Sequence, residues 1–147
     1  MIWITSKDDL NRAVATAAFC PEPPLSERRA IHESGAWRWV GYFPSWCNTC
    51  RPLRRPCLSH TVYPHWEPAP FATCPTASYA LRQKMRESNH KYESCDVANP
   101  EGVLVEVVRG GLQGNARAEH ANECTAFALA TLRALGVEFE LQGGWDK

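Results

Sequence analysis

The chain has 147 residues, 44% of them hydrophobic and 22% charged, which is enough apolar material to bury one proper core and too much for a disordered chain. Sixteen Lys and Arg balance sixteen Asp and Glu, so the formal net charge is zero. A chain so balanced has no global field to draw in a polyanion, and a nucleic-acid partner would need a local basic patch.

No run of eighteen apolar residues occurs, which excludes a membrane-spanning helix. The apolar start MIWI gives way at once to TSKDD, too short for a secretory signal, so a cytoplasmic setting is expected. Seven cysteines are an odd number, and without an export signal they read as free or metal-bound thiols in a reducing compartment.

Residues 5–19, TSKDDLNRAVATAAF, read as a first helix. Ser6 or Thr5 can cap it, Asp8 and Asp9 face the positive end of its dipole, and Leu10, Ala13, Val14, Ala17 and Ala18 form a narrow apolar stripe. The run Cys20-Pro-Glu-Pro-Pro ends it, since proline can neither donate its backbone hydrogen nor admit the preceding turn. Residues 25–35 follow as a polar connector with a short helical turn near 26–32, and WRWVGYF at 37–43 reads as an aromatic strand stopped by Pro44.

From 44 to 75 no regular period is visible, and proline recurs throughout. A loop of that length inside one domain is functional or is held by something other than its own hydrogen bonds. A second helix is expected over 76–89, capped by Thr76, with Ala77, Ala80, Leu81 and Met85 inward and Asn89 as its stop. Strands at 92–97 and 103–108 are joined by a turn at Asn99-Pro100-Glu101-Gly102, and VLVEVV has the near-continuous apolar character of a central strand covered on both faces. A glycine-rich link leads to a last helix over 116–135, with Ala121, Cys124, Thr125, Ala128, Leu132 and Leu135 on one face and Gly136 as its left-handed stop. A short strand at 137–141 would precede a disordered GGWDK tail. The expected fold is therefore a single α+β domain over 1–147: a small, mainly antiparallel sheet flanked by about three helices, with a long irregular Pro/Cys-rich loop at 44–75.

The WRW strand, the proline-rich loop, PHWEPAPFAT, the helix ending QKMRES, the strand pair and the final NECTAFALATLRALGV helix together resemble the phage ABA sandwich domain family over roughly residues 5–137. That resemblance implies a small bacteriophage or prophage accessory protein, layered helix–sheet–helix and working in the host cytoplasm. It supplies no catalytic residues, and the Cys-rich segment 46–60 lies outside it.

That segment carries the one definite chemical motif. Cys47-x2-Cys50-x6-Cys57-x2-His60 offers three thiolates and an imidazole, a ligand set suited to tetrahedral zinc, and coordination would order a loop that lacks helices and strands. Free thiols or a Cys47–Cys50 disulfide are the plainer readings, and His65, Cys74 or Cys20 could take a place in the set. Arg51, Arg54 and Arg55 stand near Trp46 and Trp66, a combination used both by protein-interface hot spots and by knuckles that grip single-stranded nucleic acid. With no net positive charge the protein interface is the better fit. Cys124 and His120, four apart, could be drawn as a nucleophile and base, but Cys124 falls on the apolar face and reads as a small buried thiol.

The sequence thus points to a non-enzymatic accessory protein that binds a host protein, in its sharpest form an inhibitor of a host defence such as CRISPR–Cas. The alternative is a zinc-stabilised module for single-stranded nucleic acid.

Overall fold

The computed structural model describes residues 1–27, 31–40, 65–98, 101–109 and 115–145. Within them the chain runs β1 (Ile2–Ile4), α1 (Lys7–Val14), a π-helical turn (Ala15–Phe19), β2 (Trp37–Val40), β3 (His65–Pro68), α2 (Pro75–Glu87), β4 (His90–Ala98), β5 (Glu101–Arg109), β6 (Asn115–His120), α3 (Glu123–Ala134) and β7 (Phe139–Leu141). This is the α+β class expected. Among the described residues the strands form an antiparallel β4-β5-β6 sheet, an antiparallel β2–β3 hairpin and a parallel β1–β7 pair.

α3 is the element around which the rest is packed. Every residue from Thr125 to Leu132 is buried, so the helix has no water-facing stripe in its middle. Such a helix must be covered on all sides. β5 and β6 cover one side of it, and α1 and α2 pack against others. Its small residues Ala126, Ala128 and Ala130 admit close approach, while Phe127 meets Tyr92 edge-on at 5.3 Å and lies under the Arg82 guanidinium at 4.4 Å.

Both ends of α3 follow from local chemistry. The Asn122 side chain accepts from the Thr125 amide, and at the far end Gly136 sits at φ +75. There the Val137 amide donates to Leu132 O and the Gly136 amide to Arg133 O, the paired bonds of a Schellman stop. The expected start at 116 is corrected: residues 115–120 form β6, paired with β5 from Val103↔His120 to Val108↔Asn115. A helix over 116–122 would have left β5 an open edge, so the sheet won the competition.

α1 starts as expected. Ser6 is the N-cap, its hydroxyl accepting from the Asp9 amide, while Asp9 accepts from the Thr5 hydroxyl and amide at 2.6 and 3.0 Å. These two donors hold the Asp9 carboxyl below its ordinary pKa. α2 is capped by Cys74, not by Thr76, because Pro75 takes the first helical position where its missing N–H costs nothing. Its inward residues are Ser78, Leu81 and Met85, whereas Ala80 faces water. Asn89, at φ 64, supplies the left-handed residue after it.

The 44–75 segment is not irregular throughout. β3 pairs with β2, from Trp37↔Pro68 to Val40↔His65, and α2 already begins at Pro75. In the β4–β5 hairpin Ala98 pairs with Glu101, so Glu101 and Gly102 belong to the strand and not to the turn. β5 is central, but only one of its faces is closed: Val105 and Val107 are buried against α3, while Leu104, Glu106 and Val108 are half-buried and Glu106 pairs with Arg117 at 2.7 Å. In the tail, expected to be disordered, the Trp145 indole donates to Ile4 O at 3.2 Å, and residues 146–147 lie outside the described residues.

Candidate functional site

In the β2–β3 pair Val40 stands opposite His65, the described residues on either side of 41–64. The hairpin is anchored by tryptophans. Trp37 is 1% exposed and its indole donates to Cys20 O at 3.1 Å; Trp66 is equally buried and donates to Pro24 O at 3.2 Å. Trp39 meets Trp66 edge-on at 5.2 Å. These bonds satisfy two indole donors that burial would otherwise orphan, and they lash the extended segment 20–24 to the hairpin.

Trp66 therefore does not belong to a partner surface. Its ring is buried and meets His32 and Trp39 edge-on, and it works as an anchor of the core. The other expected site residues, Trp46, Arg51, Arg54 and Arg55 for a partner and Cys47, Cys50, Cys57 and His60 for a metal, lie outside the described residues. Among the described residues no three His, Cys, Asp or Glu side chains are grouped so as to hold a metal ion.

On the outer face of the hairpin Arg38, Glu67 and His65 form a charged row, with Glu67 at 3.1 Å from the His65 ring and 3.9 Å from Arg38. Two large apolar side chains border the same hairpin. Ile31, which forms an isolated bridge with Arg38, is 65% exposed, and Leu25, next to the Pro24 that receives Trp66, is 63% exposed.

Beneath that border the chain gathers a set of polar groups that spacing in the sequence does not reveal. Cys20 Sγ lies 3.3 Å from Ser34 Oγ and 3.8 Å from His32 Nδ1; Ser34 Oγ lies 2.8 Å from His32 Nδ1. The other ring nitrogen of His32 faces Glu27 Oε2 at 3.4 Å. In the sequence Cys20 reads as no more than an outlying metal ligand and His32 as a surface residue. The fold brings them together because the 20–24 segment and the 31–36 turn pack on the same two tryptophans.

The remaining cysteines differ in setting. At the head of α2 the amides of Ala77 and Thr76 favour the Cys74 thiolate and pull this thiol below its usual range. Burial pushes Cys124 the other way. His120 is on β6 and its Nδ1 accepts from the Asn122 amide, so the helical four-residue spacing to Cys124 does not exist. His90 is 5% exposed at the start of β4, on a cleft of about 360 Å³ shared with Arg86, Asn89, Lys91 and Tyr92. Among the described residues no helix is long and apolar enough to cross a membrane.

No protein-family model, no curated protein and no solved structure matches this chain.

Proposed function

We propose that the chain is a non-enzymatic phage accessory protein that binds a host protein in the host cytoplasm, in its sharpest form an inhibitor of a host defence of the CRISPR–Cas kind. The observation that carries the binding reading is the apolar border of the β2–β3 hairpin, where Ile31 and Leu25 are each more than three-fifths exposed beside the charged row of Arg38, Glu67 and His65. Exposed large apolar side chains beside polar ones are a feature that protein interfaces use. Trp46, Arg51, Arg54 and Arg55 lie between β2 and β3 in the sequence and are part of the same proposal. Zinc on Cys47, Cys50, Cys57 and His60 belongs to it as well, since coordination would give that segment a fixed shape. The phage setting rests on the resemblance to the ABA sandwich domains.

The test is capture from host lysate with the wild-type chain, Ile31→Glu and Leu25→Glu, followed by plaque counts on cells whose CRISPR–Cas system targets the infecting phage. One host protein retained by wild type, lost in both variants and accompanied by restored plaquing supports the proposal. Recovery of no protein by the wild-type chain would end it. Retention of single-stranded nucleic acid that is released by moderate salt would move the reading to the arginine-rich module.

A further inference from the structure

Cys20, Ser34, His32 and Glu27 are joined in one line of contacts, and the line has a direction. The amide of Ser34 can only donate, and it points at His32 Nδ1 at 3.3 Å. Nδ1 is therefore the unprotonated nitrogen of the ring, and Nε2 carries the hydrogen, which faces Glu27 Oε2. Ser34 Oγ accepts from the Ala36 amide at 3.3 Å and from the Cys20 thiol, and it donates to Nδ1. A proton can leave Sγ through the Ser34 hydroxyl and arrive at the unprotonated imidazole nitrogen to which that hydroxyl already donates.

The parts are also held in place. The Cys20 amide donates to Ala15 O, closing the π-helical turn, and its carbonyl is taken by the Trp37 indole. His32 donates its amide to Trp37 O and accepts from Gly35 at 2.8 Å; Gly35, at φ +78, makes the turn that folds Ser34 back over the ring. The edge-on contact between the His32 and Trp66 rings at 5.9 Å fixes the imidazole plane. Cys20 is half-buried as a residue, so it is not sealed in the core. This is the arrangement of an activated nucleophile: thiol, base and a third group that holds the base.

We propose that Cys20 is a covalent acyl-acceptor site, with His32 taking its proton, that reacts with a thioester or activated ester. In the reaction the Sγ proton passes through Ser34 to His32 Nδ1, and Sγ attacks the carbonyl carbon. A sulfur–carbon bond forms, the bond to the leaving thiolate or alkoxide breaks, and the leaving group takes the proton from His32. The products are S-acyl Cys20 and a free thiol or alcohol, with no change of oxidation state. Glu27 is a positioning residue, acting through the tautomer of His32. The site goes beyond the binding reading and stands without it: loss of the host partner would leave the acylation unchanged.

The probe is p-nitrophenyl acetate, with nitrophenol release followed by absorbance and the acetylated cysteines located by peptide mass mapping. Cys74, whose activation owes nothing to His32, is the internal reference. The expected result is acetylation of Cys20 that slows by about 10²-fold or more in His32→Ala, the contribution of a general base, with Cys74 unchanged. Glu27→Ala should also slow Cys20, and Glu27→Gln, which keeps an acceptor for the Nε2 hydrogen, should restore most of the rate. Should His32→Ala lose its tryptophan fluorescence signature through unfolding, Ser34→Ala takes its place, and a slowed or an unchanged Cys20 carries the same meaning there. A Cys20 that stays unmodified while Cys74 reacts, or that reacts equally fast without the base, overturns the proposal.

Discussion

Ala72 is held at both of its backbone groups by side chains from distant helices, and this makes Asn11 the position where the packing is most open to test. The Ala72 amide donates to Asn11 Oδ1 at 2.8 Å, and the Thr125 hydroxyl donates to Ala72 O at 2.9 Å. Ala72 and Thr125 are fully buried and Asn11 is nearly so, at 8%. The two bonds fasten α1 and α3 to the turn before α2. Asn11→Ala removes the acceptor and leaves the Ala72 amide in an interior where it has no water. The cost of such an orphaned group is about 1–3 kcal/mol. For a chain of this size that is a fall of roughly 2–12 °C in Tm. Thr125→Val keeps the shape but orphans a carbonyl, which is tolerated better, so its cost should lie at the lower end of the same range. Because both partners hold one residue, the double variant should depart from additivity by about 0.5 kcal/mol or more. Urea unfolding followed by tryptophan fluorescence measures all three. If Asn11→Ala stays within about 0.5 kcal/mol of wild type at an unchanged m-value, the Ala72 amide does not depend on Asn11 and the reasoning fails.

Three further outcomes are expected. Gly136→Ala should destabilise by about 1–2 kcal/mol in the same urea assay, because φ +75 costs an L-residue that much even though nothing lies within 4 Å of the added methyl; no loss would mean that the stop of α3 relaxes freely. The Tyr92 hydroxyl, 2.5 Å from Thr131 Oγ1, is pushed up to about 12 by burial. Its raised value adds stability that is fully present below pH 10 and is lost as pH rises toward 12, roughly 2–3 kcal/mol in all, and Tyr92→Phe should flatten that limb of a stability–pH curve. Iodoacetamide should modify Cys74 well ahead of Cys124, since one thiolate is favoured by helix amides and the other is penalised by burial; the reverse order by mass mapping would refute both assignments.

Much of the fold is legible in the sequence because local chemistry and tertiary packing agree there. Ser6 as a cap, Asn89 and Gly136 as stops, and the β4–β5 pairing all follow from residues that act on their immediate neighbours. The errors lie where a partner far along the chain decides. Residues 116–120 have helix-compatible composition, yet the open edge of β5 claims them as β6. Ile2–Ile4 reads as a brief apolar start; it is a strand because residues 139–141 come alongside it in parallel. Trp145 reads as tail and is fastened to Ile4. The candidate sites divide in the same way. Cys47, Cys50, Cys57 and His60 are close in sequence, so spacing alone draws attention to them. Cys20, Glu27, His32 and Ser34 form no motif; the indoles of Trp37 and Trp66 hold 20–24, and the Trp37 carbonyl and the Trp66 ring hold His32 beside it.

By itself the sequence determined the α+β class, the existence of the long helices and of the central strand, and the absence of a run able to span a membrane, because periodicity, caps and composition act over a few residues. Tertiary structure alone decided which tryptophans anchor the core, that α3 is enclosed on every side, and that a thiol, a hydroxyl, an imidazole and a carboxylate share one contact line. The physical reason is that burial and hydrogen-bond satisfaction are properties of the whole packing, and a residue's distant partners leave no mark on its own neighbourhood in the chain.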